Sequence, residues 1–238
     1  MIDIHSHLIP GVDDGAKTLE DSVELIRDLE EKGFDTLIIT PHYVAETAYT
    51  SPRQTNRLLL AKIQGRLRNS SNKIKLYVGN EIYIDREIEE LIRDYKIAPL
   101  ADSKYLLIEL PMSGEFDDYE NILISLILRG YRVILAHPER YRSFQKDMKP
   151  LRYLFENGVM LQCNYGSLVG QYGKKAEKLV KKLIKEDMVY TFSTDLHHKS
   201  QEVYLEKGLK KLRKYYKNSE LDQILDKNPR QILESMIK

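Results

Sequence analysis

Seven short runs of apolar residues recur along the chain, each bounded by turn-forming or charged residues. They have the length of β-strands and are rich in Ile, Leu, Val and Tyr. The runs cover residues 2–5 (IDIH), 36–40 (TLIIT), 75–79 (KLYVG), 105–110 (YLLIEL), 132–137 (RVILAH), 159–164 (VMLQCN) and 189–194 (VYTFST). Nearly continuous apolar strands are typical of parallel sheets that are covered by helices.

Between these runs the apolar residues recur with the spacing of amphipathic helices. The stretch TLEDSVELIRDLEEKG begins with Thr18 and Asp21 as a capping pair and stops at Gly33. A last helix is predicted to begin with Asn228 as its cap and Pro229 in its first turn. Regular alternation of strands and helices predicts an α/β fold with a parallel sheet, either doubly wound or closed into a barrel.

The length and charge are those of one ordinary globular domain. The 238 residues lie in the range of single α/β barrels, and because no Gly, Ser or Pro-rich linker divides them we expect one domain over residues 1–238. With 37 Lys and Arg against 36 Asp and Glu, no net charge attracts nucleic acid or an anionic membrane. The lysine-rich stretches KKAEKLVKKLIKED and KKLRKYYKN are interpreted as solvated helix faces, with a docking surface for an acidic partner as the alternative.

Cysteine content and hydropathy predict a cytoplasmic location. Cys163 is the single cysteine, so no intramolecular disulfide can form. No apolar run reaches the roughly 18 residues of a membrane span, and the charged first strand leaves no room for a secretory leader. We therefore expect no membrane insertion.

The first strand carries two histidines. Because successive side chains of a strand alternate between its faces, His5 and His7 point the same way and could share a metal. The alternative is a pair of hydrogen-bonded histidines at a polar strand end.

Further histidines and carboxylates follow the other predicted strands. They are His42, Glu81, Glu109, His137, Asp195 and His197. The carboxyl ends of parallel strands meet at one edge, where ligands and catalytic groups assemble. Each residue alone could be a salt-bridged acid or a loop cap, but together they would repel or stay unsatisfied without cations. Histidine with carboxylate suits Mn, Fe or Zn, and the size of the set indicates more than one metal.

Other enzyme classes fit this chain less well. A cysteine-dependent phosphatase needs an arginine six residues after its cysteine, and Val169 occupies that position after Cys163. An amidohydrolase also begins with His-x-His, but it commonly uses a lysine at the fourth strand end, where this chain has Glu109. A metal-binding regulator without turnover remains an alternative.

Six motifs in order resemble those of the polymerase and histidinol phosphatase superfamily, in particular its bacterial capsule-type tyrosine-protein phosphatases. The motifs are HSH, VDDG, TPHY, GNEIY, HPERY and STDLHH, and the resemblance runs from Met1 to the closing NPRQIL. It implies an irregular, TIM-like (β/α)7 barrel with a metal cluster at the C-terminal strand ends. It also implies a metal-dependent protein-tyrosine phosphatase.

The resemblance further implies how the ligands are shared among three ions. The first ion would take His5, His7, Glu81 and Asp195; the second would take Glu81, Glu109 and His137; the third would take Asp14, His42 and His197. Manganese is the expected metal, as two or three ions, with iron, zinc or magnesium as alternatives.

Catalytic and substrate-binding roles also follow from the resemblance. Arg140 in HPERY would grip the phosphoryl group, and Asp195 and His197 would act with it in catalysis. Relatives carry a second arginine beyond the Asp-x-His motif; this chain does not, and Lys199 or His198 is expected to replace it.

The expected substrate is phosphotyrosine in a protein, on the tail of a bacterial tyrosine kinase that controls capsule or exopolysaccharide synthesis. Tyr43, Tyr83 and Tyr141 follow ligand-bearing strand ends and are predicted to flank the phenyl ring. Histidinol phosphate, or another small phosphate ester, is the alternative substrate for the same cluster.

Overall fold

Within the described residues, seven of the nine parallel strand segments lie in the predicted strand positions, and the two short segments β3 and β5 lie just beyond them. The computed structural model describes residues 1–68, 73–112 and 117–236. The strands are β1 (Ile2–Asp3), β2 (Thr36–Ile39), β3 (His42–Tyr43), β4 (Lys75–Val78), β5 (Glu81–Tyr83), β6 (Tyr105–Glu109), β7 (Arg132–Ala136), β8 (Met160–Asn164) and β9 (Val189–Ser193).

Helices connect the strands. They are α1 (Leu19–Glu31), α2 (Arg53–Leu67), α3 (Ile88–Arg93), α4 (Asp117–Leu128), α5 (Arg142–Lys146), α6 (Lys149–Glu156), α7 (Gly173–Lys185), α8 (Glu202–Leu212), α9 (Asn218–Asp222) and α10 (Asn228–Glu234). Short 3₁₀ turns cover Leu100–Asp102, Pro138–Arg140, Tyr165–Val169 and Lys199–Gln201, and a π-helical turn covers Gln223–Lys227. Within the described ranges, no helix combines the length and the apolar character needed to span a bilayer.

The first and last strands are joined beyond their ends. The sheets have the orders β1-β2-β4 and β3-β5-β6-β7-β8-β9, and every pairing between the strands is parallel. The amide of Asp195 donates to the carbonyl of His5 at 2.8 Å, and the amide of His7 donates to the carbonyl of Leu196 at 2.9 Å. The predicted α/β class with parallel strands is confirmed, and this junction is consistent with the irregular barrel.

The chain is interrupted after the second and third predicted strands, and each is followed by a short strand segment that the sequence did not predict, β3 and β5. Pro41 has no amide hydrogen and interrupts the strand between β2 and β3. Asn80 lies at the break between β4 and β5, where its side chain donates to the carbonyls of Pro41 and Ser51 and accepts from the amide of Ala98. Beyond these breaks, β3 pairs with β5. His42 lies opposite Glu81 in this short pairing.

Apolar side chains form two clusters, one on each side of the strands. The larger cluster joins outward residues such as Leu106 and Leu135 to the helices. The smaller one contains alternate residues such as Leu107 and Ile134, closed by Ile232 from α10. Two apolar faces explain why the strands lack the polar alternation of a half-exposed sheet.

Of the two helix N-caps predicted from the sequence, that of α1 is confirmed and that of α10 is wrong. Thr18 and Asp21 form the predicted capping box of α1. Asn228 is not a cap: its backbone is helical, and the π-helical turn joins α10 to α9. Its side-chain amide instead donates to the carbonyl of Tyr190 in β9 at 2.7 Å. A tertiary contact has replaced the local one that the sequence suggested.

We expect Gly208→Ala to destabilise the fold by about 1–3 kcal/mol, because overpacking a tight contact forces the backbone apart. A Cβ at Gly208 of α8 would lie 2.4 Å from the carbonyl oxygen of Tyr165. The matched control is Gly65→Ala in α2, where nothing lies within 4 Å of the new Cβ. It should raise the free energy of unfolding by about 0.5–1 kcal/mol. Urea denaturation measures both, and equal effects would contradict the close packing.

Candidate metal centre

The predicted ligands meet at the carboxyl ends of the strands. Glu109 is the last residue of β6, His137 directly follows β7, and Asp195 lies two residues after β9. His137 and Asp195 both adopt left-handed backbone conformations, with φ of 34° and 50°. Such a φ is costly for a residue other than glycine, and strain of this kind clusters at functional sites.

The carboxylate of Glu81 lies at the centre of the cluster and is buried. Its Oε1 lies 2.9 Å from Nε2 of His137 and 3.3 Å from Nε2 of His5. Its Oε2 lies 2.9 Å from Nδ1 of His42 and 3.4 Å from Nε2 of His7. One carboxylate therefore contacts four imidazoles, which is the arrangement of a bridging ligand.

The donor atoms of His5, His7, Glu81 and Asp195 are spaced as ligands of one ion would be. The two histidine Nε2 atoms lie 3.2 Å apart, and each lies 3.5 Å from Oδ1 of Asp195. Ligands at about 2.1 Å from a tetrahedral or octahedral ion are separated by roughly 3.0–3.4 Å. The spacing fits a divalent metal.

A second group lies on the more open side of the cluster. Asp14 Oδ1 lies 3.5 Å from Nε2 of His42 and 3.4 Å from Nε2 of His197. Asp14 Oδ1, His42 Nδ1 and Glu81 Oε2 are buried atoms without a well-formed hydrogen bond among the described residues, although His42 Nδ1 and Glu81 Oε2 lie only 2.9 Å apart. Buried polar atoms without partners are costly, so an ion bound among them would satisfy them.

Glu109 and His137 complete the set. Glu109 Oε1 lies 3.7 Å from Nε2 of His137, and its Oε2 lies 3.9 Å from Nδ1 of His42. The rings of His5 and His137 are 5.5 Å apart between centres. All nine predicted ligands therefore share one cluster, and their coordination of metal stays a prediction.

The charges of the cluster perturb one another strongly. Burial alone would raise the pKa of Glu81, but His5 and His42 outweigh it and hold that pKa well below its ordinary value. Burial and the charge of Glu81 raise the pKa of Glu109. Burial opposes protonation of His5, yet Glu81 and Asp195 raise its pKa to about 9. Competing carboxylates of this kind favour a bound cation.

Arg140 projects into the same cleft beside Asp195. Its Nη1 donates to Oδ2 of Asp195 at 2.7 Å, and its guanidinium carbon lies 4.4 Å from the ring centre of Tyr172. About a quarter of the arginine side chain is exposed. A guanidinium has five N–H groups, so this ion pair leaves others available for an anion in the cleft.

The cleft above the cluster has a volume of about 340 Å³. Apart from the ligands and Arg140, its walls are apolar or aromatic: Val44, Tyr49, Tyr83 and Met112. A concave site with convergent polar groups and a partly apolar wall suits a small ligand with an apolar body.

Comparison with known proteins identifies the family. The model of the family described as "Capsular polysaccharide synthesis, CpsB/CapC" matches residues 1–234. The chain belongs to the CpsB/CapC family. This confirms the resemblance to bacterial capsule-type tyrosine-protein phosphatases that the motifs predicted.

Relatives in the CpsB/CapC family match over nearly their whole lengths. Tyrosine-protein phosphatase YwqE of Bacillus subtilis (strain 168) is 32% identical over 234 residues, which are 98% of this chain and 91% of YwqE. Tyrosine-protein phosphatase CpsB of Streptococcus pneumoniae is 26% identical over 239 residues, 98% of each chain. A solved structure from the work on YwqE and CpsB, described there as "unique metal-dependent tyrosine phosphatases", has a TM-score of 0.91 at 31% identity and covers 100% of this chain and 96% of its own.

Two of the three tyrosines predicted to flank a substrate in this CpsB/CapC protein do not reach the cleft. Tyr43 is buried in the larger apolar cluster. Tyr141 is 1% exposed, and its hydroxyl donates to the carbonyl of Ala136 and accepts from the amide of Leu110. Both predictions were wrong because proximity along the chain does not show which way a ring points. Tyr83 does line the cleft.

Lys199 does not replace the arginine that the motif comparison found missing. Its ammonium group pairs with Glu24 and lies 3.3 Å from Asp28, both on α1. It lines a separate recess behind His197, together with His198. The expected second phosphate clamp is therefore absent from the cleft walls that the structure describes.

Several residues that support the ligands were missed by sequence reasoning. Asp13 Oδ2 accepts from Nδ1 of His7 at 2.8 Å, and Gln162 Oε1 accepts from Nδ1 of His5 at 2.9 Å. Asn164 donates to Oδ2 of Asp195 at 2.7 Å. Such partners set the tautomer and orientation of a ligand. Asp13 lies in the VDDG motif beside Asp14, and that position is a signal that could have found it; Gln162 and Asn164 gave no signal beyond polar residues in a buried strand.

Tyr141→Phe should lower the free energy of unfolding by about 1–3 kcal/mol, because the buried amide of Leu110 loses its hydrogen-bond acceptor. Tyr83→Phe is the matched control and should change stability by less than about 0.5 kcal/mol, since its partly exposed ring lines the cleft. Urea denaturation of the two variants tests this. A Tyr141→Phe protein as stable as the wild type would show that the hydroxyl does not brace the strand ends.

Proposed function

We propose that this chain is a metal-dependent protein-tyrosine phosphatase, formed by a single domain over residues 1–238. The convergence of nine histidine and carboxylate ligands around buried Glu81, with Arg140 beside them in one cleft, carries the proposal. The relatives YwqE and CpsB are tyrosine-protein phosphatases by name, which supports the same activity. Cys163 is buried and its thiol pKa is raised by burial, so it is unsuited to be a nucleophile.

The ligands are proposed to act in three overlapping sets. His5, His7, Glu81 and Asp195 form the first set, Glu81, Glu109 and His137 the second, and Asp14, His42 and His197 the third. Manganese is the proposed metal, as two or three ions, with iron, zinc or magnesium as alternatives that the same donors accept. Bound divalent ions supply Lewis acidity and a deprotonated water as the nucleophile.

Arg140 is proposed to bind phosphoryl oxygens and to stabilise charge that develops on them. Asp195 holds the guanidinium from one side and Tyr172 stacks on it, so its orientation is fixed before substrate arrives. Asp195 thereby joins the metal ligands to the phosphate-binding group. His197 lies beside Asp14 at the open side of the cluster, and we propose that it assists catalysis there.

Phosphotyrosine is the substrate that the cleft fits best. Tyr49 is 42% exposed and stacks on His42 with 6.1 Å between ring centres, and Tyr83 lines the same cleft. These rings offer an apolar wall to a phenyl group. A phenolate, with a conjugate-acid pKa of about 10, leaves with little help from a general acid.

The biological setting is proposed from the family. The description of the CpsB/CapC family is capsular polysaccharide synthesis. We propose that the phosphotyrosine belongs to a bacterial tyrosine kinase that regulates capsule or exopolysaccharide synthesis, and that the enzyme acts in the cytoplasm.

Metal removal tests the enzyme class. Stripping with a chelator should abolish hydrolysis of a phosphotyrosyl peptide, and added Mn²⁺ should restore it, because the described cleft walls contain no Cys, Ser or Thr and a metal-activated water would have to be the nucleophile. Phosphate release with parallel metal analysis measures both. Hydrolysis that persists in protein shown to be metal-free would refute the proposal. A clear preference in kcat/KM for histidinol phosphate would change the substrate and leave the metal chemistry intact.

Arg140→Ala should lower kcat by roughly 10²-fold, because a charge-stabilising donor is lost in the transition state. Arg140→Lys should recover only part of the loss, since an ammonium lacks the planar fork. Arg142→Ala, an exposed arginine two residues further on, is the matched control and should behave as the wild type. Steady-state kinetics are measured beside metal content, and an unchanged kcat in Arg140→Ala would remove Arg140 from catalysis.

A further inference from the structure

Positive charge is concentrated on two neighbouring helices. Helices α7 and α8 together contain nine Lys residues against three Glu, whereas the whole chain has a net charge of +1. Glu177 of α7 binds Lys181 of its own helix and Lys211 of α8, at 2.5 and 3.0 Å. The two helices therefore present one joint surface.

The three glutamates of these helices are already engaged. Glu177 forms the bridge just described, and Glu202 and Glu206 of α8 both pair with Lys32, the residue that directly follows α1. The exposed lysines that remain form the basic face: Lys174, Lys175, Lys178, Lys182 and Lys185 on α7, with Lys207 and Lys210 on α8. Within the described part of the chain, these seven make no ion pair.

This arrangement is unfavourable for the isolated protein. Lys174, Lys178 and Lys182 follow one another at intervals of four residues, so like charges are neighbours on one side of α7. Lys174 and Lys175 also occupy the first turn of α7, which has no acidic residue, at the positive end of the helix dipole. An anion bound along the face would relieve both repulsions.

The basic face begins at the mouth of the cleft. The ring of Tyr172 stacks on the guanidinium of Arg140. Tyr172 directly precedes Gly173, the first residue of α7. Helix α8 begins at Glu202, five residues after His197. Arg140, which Tyr172 contacts, and His197 both line the cleft, so a chain that flanks a phosphotyrosine held there leaves it close to the beginnings of both helices.

We propose that the basic face of α7 and α8 binds an acidic segment of the protein substrate, adjacent in sequence to the phosphotyrosine. This rests on the proposed phosphatase activity. A stretch of aspartates and glutamates matches the face in charge. Opposite charges steer encounter and add binding energy outside the reacting group, so the face acts on KM and on the association rate and leaves kcat unchanged.

The test compares two phosphotyrosyl peptides, one flanked by a run of glutamates and one flanked by serines and glycines. The variant is Lys178→Glu with Lys182→Glu, two exposed residues remote from the metal ligands. The control is Lys62→Glu with Arg66→Glu on α2, which makes the same charge change at the same spacing on another exposed helix.

The α7 variant should raise KM for the acidic peptide at least about tenfold, with kcat unchanged, and added salt should shrink the difference. KM for the neutral peptide and for p-nitrophenyl phosphate should stay within about twofold, and the α2 variant should resemble the wild type. The proposal would be overturned if KM rose equally for both peptides, if it rose equally in the α7 and α2 variants, or if it did not rise. So would binding of the face to phosphatidylglycerol vesicles with peptide kinetics unaffected.

A binding measurement separates this proposal from the phosphatase activity itself. Fluorescence anisotropy of the labelled acidic peptide reports association whether or not the peptide is hydrolysed. If the wild type and both variants all failed to hydrolyse phosphotyrosine, the proposed function would be refuted. Loss of acidic-peptide binding in the α7 variant alone would still support the basic face, and equal binding by all proteins would refute it.

Discussion

The structure depends most on the buried carboxylate of Glu81. A carboxylate removed from water is costly unless charges and donors surround it, and here four imidazoles do so. Those imidazoles come from three other places in the chain, the ends of β1 and β7 and the second segment after Pro41. The strands are interrupted at Pro41 and Asn80, directly before His42 and Glu81, which lie opposite each other. Local irregularity in the sheet is thus a requirement of the site.

Rigidity around the cluster comes from neighbours that touch no substrate. Gln162 and Asn164 of β8 are hydrogen-bonded to each other at 2.9 Å, and they hold His5 and Asp195 respectively. Asp195 in turn positions Arg140. The proposed ligands and Arg140 therefore belong to one connected network, in which each member restricts the rotamers of the next.

The sequence predicted most strand segments, and the histidines and acids that meet at the strand ends, because both depend on local signals; Asp14 was expected only from the family resemblance. Apolar runs give strands, and histidine or acid at a parallel strand end points to the shared edge. The orientation of a side chain depends on tertiary packing, which explains the errors over Tyr43 and Tyr141 and the unpredicted place of Tyr49 in the cleft. Lys199 was misjudged for a similar reason, since α1 supplies its carboxylate partners from a distant part of the sequence.

The junction of the first and last strands has a consequence for biosynthesis. The amide of Thr194 donates to the side chain of Asp3 across 191 residues of sequence, beside the contact of Asp195 with His5. A nascent chain emerging from a ribosome exposes His5 and His7 early but lacks Asp195 until most of the protein has been translated. Closure of so long a loop is a late and slow event in folding. Partly synthesised chains therefore lack part of the candidate metal centre, which is completed only when the first and last strands join.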